Sequence, residues 1–345
     1  MATIDAIFDT NVLVGVVRNL KTPSQFLLDT FFPNVVLADT EFVSVDLDVG
    51  LRRMAPFVSP LMEGKPVESR KWQTNTFKPA YIKDLRTPDF RRPVLRQIGE
   101  RIGGDLTPRE RIAQNLAFEM EDQVQMVQRR LEWMAAQACY AGNYTVTGDG
   151  YESLNINFNR DSSLSLDISS GGTNAPWLGS GTTASSNIET WAQTVLQKSG
   201  AAVTDIVFTT GAFNLFVGDS RVQQSVWYLR SGDSRIEFGG SQVLGAKYKG
   251  EWGGYNLWVY NDWYIDSNGA EQPMLPANYV LLGSKNLAGV RAFGAIMDED
   301  FNYGPMPYAP KSWVEKNPSR RHILMQSAPI VFPGRPNAML AAKVA

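Results

Sequence analysis

The sequence predicts an α+β fold organised around one long helix, and three observations point to it. Residues 107–142 hold a single capped helical run, strand patterns stand on both sides of it, and residues 187–290 carry helix and strand signals of their own. Both ends of the helix are specified. Thr107 supplies a capping hydroxyl, Pro108 takes the first helical position, where its missing N–H costs nothing, and Glu110 completes a capping box. Ile112, Leu116, Met120, Val124, Val127, Leu131, Met134 and Ala138 then recur at steps of three or four until Gly142 provides the stop. At about 1.5 Å per residue the rod is roughly 50 Å long, which suits an elongated building block better than a pocketed enzyme.

Ahead of the helix, Phe8, Val12, Val14 and Val17, then Phe26, Leu27, Phe31 and Phe32, form short apolar clusters parted by turn residues. They do not amount to a core. The first hundred or so residues are therefore expected to become ordered by lying over other copies of the chain. From Phe42, Val43, Val45, Leu47 and Val49 alternate with Ser44, Asp46 and Asp48 as a strand. A stretch rich in proline and basic residues follows and is expected to return as a strand at residues 77–82. Such a two-stranded excursion has too few apolar residues to bury itself, so it is expected to rest on another subunit.

Beyond the helix, Leu154, Ile156 and Phe158, then Leu164, Leu166 and Ile168, predict two antiparallel strands. Residues 171–186 are mostly Gly, Ser, Thr and Ala and mark a loop. Ser186 and Glu189 form a second capping box for a helix that ends at Gly200 and buries Ile188, Trp191, Ala192, Val195 and Leu196. Asp205 to Thr209 predicts a strand, Ala212 to Val217 a short helix, and Tyr255 to Ile265 a strand that turns at Asp266-Ser267-Asn268-Gly269. The C-terminal part, through Trp313, Ile323 to Met325 and Ile330 to Phe332, is expected to rejoin the first sheet.

With 43% hydrophobic and 20% charged residues, the chain folds. No basic residue precedes Arg18, so a signal-peptide head is missing, and no apolar run approaches the ~18 residues of a membrane span. A soluble protein made in a cytoplasm is expected. One cysteine, Cys139, and one histidine, His322, exclude an intramolecular disulfide and a Cys/His zinc site within one chain. A net charge of −2 lends no support to binding driven by phosphate neutralisation. Charge is nonetheless segregated. Residues 1–49 hold seven acids against two bases, and residues 50–92 hold ten bases against four acids.

Catalytic patterns are incomplete. Val217-Gly218-Asp219-Ser220 resembles the nucleophile block of GDS-type esterases, and Gly232-Asp233-Ser234 repeats its tripeptide. The base would have to be His322, and the residue three before it is Ser319 where that family has an aspartate. Turns between elements are the plainer reading. Asp298, Glu299 and Asp300 suit a solvated loop better than a divalent ion. Trp252, Tyr255, Trp258, Tyr260, Trp263 and Tyr264 suit a sheet core or subunit contact better than a stacking platform for bases or sugars. No phosphate-cradling glycine motif is present. No enzymatic activity, cofactor or metal is expected.

Five segments in this order, Met54-Ala55-Pro56-Phe57-Val58-Ser59-Pro60, Phe77-Lys78-Pro79-Ala80-Tyr81-Ile82-Lys83, Arg291-Ala292-Phe293-Gly294, Tyr308-Ala309-Pro310-Lys311-Ser312-Trp313 and Gln326-Ser327-Ala328-Pro329, resemble the major capsid protein E family of lambda-like tailed phages. The order of elements resembles the Hong Kong 97 fold of phage shells. That resemblance implies an N-terminal arm (1–44), an extended loop (45–92), a peripheral domain with a spine helix (93–186), an axial domain (187–290) and a return to the peripheral domain (291–345). It implies copies arranged as hexamers and pentamers of an icosahedral shell around double-stranded DNA, in the virion. A portal, a scaffold or maturation protease, and a decoration protein are implied partners. Some relatives join loop lysines to asparagines of neighbours; Lys65 and Lys71 are present, but no partner asparagine is identified and the cross-link is not carried over. Under this reading Arg52, Arg53, Lys65, Arg70 and Lys71 are expected to meet acidic patches of adjacent subunits and set register. A phage tail tube or decoration protein is the alternative.

Overall fold

The computed structural model describes residues 25–49, 54–65, 67, 71–88, 107–169, 176–177, 184–228, 235–236, 242–243, 245–266, 268–317 and 319–345. The long helix runs Pro108–Tyr140. Its capping box is complete: the Glu110 amide donates to Thr107 Oγ1, while the Thr107 amide donates to Glu110 Oε2 at 2.7 Å. These bonds hold the Glu110 carboxyl below its usual range. Leu116, Met120, Val124, Val127, Leu131, Met134 and Ala138 are all buried along one face. At the far end Arg160 donates to the carbonyls of Cys139 and Tyr140, a cation at the negative end of the helix dipole. Gly142 takes φ +71°, the left-handed conformation that ends the helix.

The helix carries a core shared with the chain's beginning and end. A short helix, Phe26–Phe31, packs on it with Phe26, Leu27, Leu28, Phe31 and Phe32 buried. This corrects the expectation that the whole leading stretch lies on other copies. The reason is local clearance: a Cβ on Gly283 would strike the Phe31 ring, and one on Gly289 the Phe31 carbonyl and Phe32 ring. Two bare backbones therefore make room for a pair of phenylalanines. Strand Asn34–Leu37 then adds in parallel to Val290–Phe293, which pairs antiparallel with Pro329–Phe332.

Strand Tyr151–Asn157 pairs with Asn143–Gly148 directly after the long helix, and not with the segment at 164–168. Asp149-Gly150 closes that hairpin, with Gly150 at φ +74°, a two-residue turn that makes the local pairing the favoured one. Ser165–Asp167 instead runs parallel to Met339–Lys343. Among the described residues the principal sheet has eight strands: Gln242–Val243, Ala246–Trp252, Tyr255–Tyr260, Asp205–Phe208, Tyr279–Gly283, Met339–Lys343 and Ser165–Asp167 in order, with Arg235–Ile236 beside Ala246–Trp252. The chain's last strand thus lies inside the sheet of the middle segment, so the hydrogen-bonded ladder crosses the boundaries expected at 186 and 290.

A second core fills the space under this sheet, where helix Ala184–Ser199 buries Ile188, Trp191 and Val195 beside Phe208, Phe213 and Phe216. Leu196, expected in that face, is exposed. The expected strand over 255–265 breaks at Asn261-Asp262, giving Tyr255–Tyr260 and Trp263–Ile265, and the latter forms a hairpin with Glu271–Pro273. Asn261 turns its amide to the Gly245 carbonyl at 2.9 Å at the break. No described helix is long and apolar enough to cross a membrane.

Candidate subunit-contact surface

Two strands within the stretch expected to form a loop pair as a hairpin. Val43–Val49 pairs antiparallel with Lys71–Phe77, from Val43 opposite Phe77 to Val49 opposite Lys71. The return strand therefore ends where it was expected to begin. Pro79 has no N–H to offer a ladder, and the next strand, Ile82–Arg86, leaves the loop to pair with Ser319–Ser327. At the root, Phe77 packs edge-on to Phe158 and stacked on Phe332, and Lys78 meets Glu41 at 2.8 Å. Arg86 clamps the outgoing strand to the long helix through Glu119 (2.9 Å) and Asp122 (2.7 Å), with Asp84 beside it.

Beyond the paired strands the loop presents apolar side chains with nothing over them among the described residues. Phe57 is 106% exposed, Leu61 96% and Met54 93%, and Met62 and Val67 are also largely exposed. A turn at Ser59 to Met62, closed by the Met62 amide on the Ser59 carbonyl at 3.0 Å, holds Leu61 outward. Lys65 is exposed and makes no ion pair among the described residues. Lys71 opens the return strand, and Arg52, Arg53 and Arg70 lie outside the described residues. The expected set of five basic residues is thus placed at two positions. The same stretch also exposes the apolar side chains of Met54, Phe57, Leu61 and Met62, a feature that charge patterning does not reveal.

The candidate chemical groups have structural employment. Asp219 is fully buried and accepts from the amide and hydroxyl of Ser185 and the amide of Arg221, tying two helix starts together. His322 lies by Thr87 Oγ1 and stacks on Trp313. The second Gly-Asp-Ser lies outside the described residues. Asp298 accepts from Lys311 and Gln326, and Asp300 also meets Lys311, so that acidic run holds an internal cation. Burial pushes the Cys139 thiol up. Of the aromatic cluster, Tyr260 and Trp252 are buried, Trp258 packs on Phe26 and Tyr248, and Trp263 is exposed.

Sequence reasoning also missed Glu132. It lies 2% exposed on the long helix, accepting from the amides of Leu27 (2.9 Å) and Leu28 (3.1 Å) and from the Tyr260 hydroxyl (2.9 Å). One carboxylate therefore joins the leading helix, the long helix and the principal sheet. Burial pushes it up to about 7, against the pull of those three donors.

The family model for phage major capsid protein E matches residues 9–344. The chain is similar to the major capsid protein of Escherichia phage lambda, 28% identical over 92% of this chain and 93% of that protein. It is also similar to the major capsid protein of Escherichia phage N15, 27% identical over 99% and 100%. Among solved structures, a prophage protein of Escherichia coli CFT073 described as a capsid protein superposes with a TM-score of 0.74 at 20% identity, over 97% of this chain and 99% of that one. The capsid subunit of cyanophage A-1(L) superposes at 0.53 and 10% identity, over 94% of each chain.

Proposed function

This chain belongs to the phage major capsid protein E family, and from that premise we propose that it is the subunit of a tailed-phage head, self-assembling into an icosahedral shell around double-stranded DNA. The observation that carries the contact mechanism is the uncovered apolar loop. A protein that holds Met54, Phe57 and Leu61 in water at the end of a hairpin has a surface made for a neighbour. The contact is head to tail: the loop of one copy meets a different surface of the next, and such heterologous contacts close into rings when the rotation allows. Hexamers and pentamers are rings of this kind.

Magnitudes assign the roles within the loop. Burying a large apolar side chain is worth about 1.5–3 kcal/mol, while an exposed ion pair is worth ~0–1 kcal/mol. Phe57 and Leu61 therefore supply affinity, and Arg52, Arg53, Lys65, Arg70 and Lys71 supply register against acidic patches. Many weak contacts per subunit then sum to a stable shell. Residues 45–92 act as the extended loop, 107–142 as the spine helix, and 187–290 as the part that meets its copies around the local symmetry axes. Portal, scaffold or maturation protease, and decoration protein are its expected partners, as they are for a container built from one repeated part.

Electron microscopy of the expressed protein tests this. Closed shells are expected from the unaltered chain, and folded, unassembled subunits from Phe57→Asp with Leu61→Asp. Arg52→Glu with Arg53→Glu should lower shell yield while leaving the fold unchanged. Tubes or permanently single particles from the unaltered chain would refute the shell reading.

A further inference from the structure

A groove of about 500 Å³ opens between helix Thr210–Val217 and strand Ala246–Trp252 of the principal sheet, on the side where Phe213 and Val259 are buried. Two lysines reach it from one strand. Lys247 stands opposite Val259 and Tyr248 opposite Trp258, and the ladder then slips so that Gly250 meets Leu257. Lys249 is the extra residue of that bulge, a device that re-aims a side chain. Its ammonium lies over the Phe213 ring at 5.4 Å, while Tyr248 turns away to pack on Trp258. Asn261 donates to Thr210 Oγ1 at 2.5 Å and ties the end of strand Tyr255–Tyr260 to the start of the helix, where Asn214 stands one turn further along.

The charges in this groove are of one sign. No carboxylate is among the described residues that line it, and Lys247 makes no ion pair among the described residues. Asp262 lies beside Gly245 and accepts from the Trp263 amide at 2.9 Å. Burial, and after it the charge of Lys247, holds the Lys249 ammonium below its usual range. Two cations close enough to repel, over an apolar floor, are best matched by one ligand that carries about two negative charges. A carboxylate or a phosphodiester brings one. A phosphate monoester brings roughly −1.5 to −2 at neutral pH, with three strong acceptor oxygens. Neutral donors for those oxygens are present: the Thr210 oxygen accepts from Asn261, which leaves its hydroxyl hydrogen to give, and the Asn214 amide is exposed on the same side of the helix.

We propose that this groove binds a phosphate dianion, free or carried on a small monoester, between Lys247 and Lys249, with the Thr210 hydroxyl and the Asn214 amide donating to its remaining oxygens. Each ammonium has three donors, so contact with the Phe213 ring does not exhaust Lys249. Hydrogen bonds between charged partners are about twice as strong as neutral ones, and two of them converge on one ligand here. Every group belongs to a single copy, so the site does not depend on how copies assemble.

The test reads the acetylation rate of each lysine in the full-length chain by mass spectrometry, with exposed Lys285 as internal reference. Saturating inorganic phosphate should slow Lys247 and Lys249 about tenfold relative to Lys285, where chloride at equal ionic strength does not. Adenosine monophosphate is the second arm: protection at the same concentration as phosphate assigns the site to the free ion, and protection at a much lower one assigns it to a monoester. Lys247→Met should raise the phosphate concentration that protects Lys249 about tenfold or more, equivalent to roughly 1.4 kcal/mol, and Lys247→Arg should restore most of it. Asn214→Asp, at an exposed position, should abolish protection with an unchanged melting temperature. Equal protection by chloride, or by an unphosphorylated DNA duplex at the same phosphate content, would overturn the proposal. So would lysines already protected without phosphate in the unaltered chain and released in the assembly-deficient Phe57→Asp, Leu61→Asp variant, which would give the groove to a carboxylate of another copy.

Discussion

Glu132→Gln is expected to gain stability relative to the unaltered subunit as pH rises from 4.5 to 7. The buried carboxyl titrates at about 7 in place of its ordinary 4.5, because burial outweighs the donors from Leu27, Leu28 and Tyr260, and the nearby Asp262 pushes the same way. The folded chain therefore binds more protons than the unfolded chain between pH 4.5 and 7, and its stability falls as pH rises through that window. At about 1.4 kcal/mol per pH unit, the ionised side chain costs roughly 3 kcal/mol above pH 7 that is absent below pH 4.5. Below pH 4.5 the neutral acid and the amide are near-isosteres. Both oxygens of the neutral acid can still accept, whereas the variant's amide nitrogen cannot and leaves one amide of the Leu27–Leu28 pair without its acceptor, so the variant starts below the wild type there by about 1–3 kcal/mol and gains on it as pH rises. Urea unfolding and hydrogen exchange at residues 26–32, followed from pH 4.5 to 8 in the assembly-deficient background, measure the difference. Equal pH slopes for the two proteins, or a wild type that gains on the variant as pH rises, would refute the reasoning.

Three further substitutions probe the frame. Gly289→Ala drives a methyl into the Phe31 carbonyl and Phe32 ring; a cost of about 1–3 kcal/mol and faster exchange confined to residues 26–37 are expected. Thr107→Ala removes the hydroxyl that accepts from the Glu110 amide, at about 1 kcal/mol, and should fray the first turns of the long helix as seen by exchange while leaving the Met120–Cys139 stretch protected. Arg86→Met leaves Asp84, Glu119 and Asp122 facing one another without their cation; a loss of about 2 kcal/mol in thermal unfolding is expected, and an unchanged melting temperature would show the clamp to be idle.

What the sequence displayed was what depends on neighbours in the chain. The long helix needs only Thr107, Glu110, its stripe and Gly142, all within one segment, and it stands where expected. The hairpin closed by Asp149-Gly150 was equally local, but the apolar alternation at 164–168 looked like the better partner because periodicity carries no information about which strand pairs with which. The docking of residues 26–32 was hidden for a related reason. It depends on Gly283 and Gly289, more than 250 positions away, and on Glu132, whose acidic character marks it as surface in any reading of a helix face. Once those three positions are known, the distinction within the N-terminal third follows from physics. Phe31 and Phe32 sit on bare backbone of their own chain, and Leu27 and Leu28 find a carboxylate for their amides. Phe57 and Leu61 find neither among the described residues, although they are as apolar. Under the proposed function shell contact falls to the loop, while residues 26–32 belong to the subunit's own core. Loosening that core through Gly289→Ala should weaken assembly only as far as it destabilises the subunit, whereas Phe57→Asp should abolish assembly at full stability.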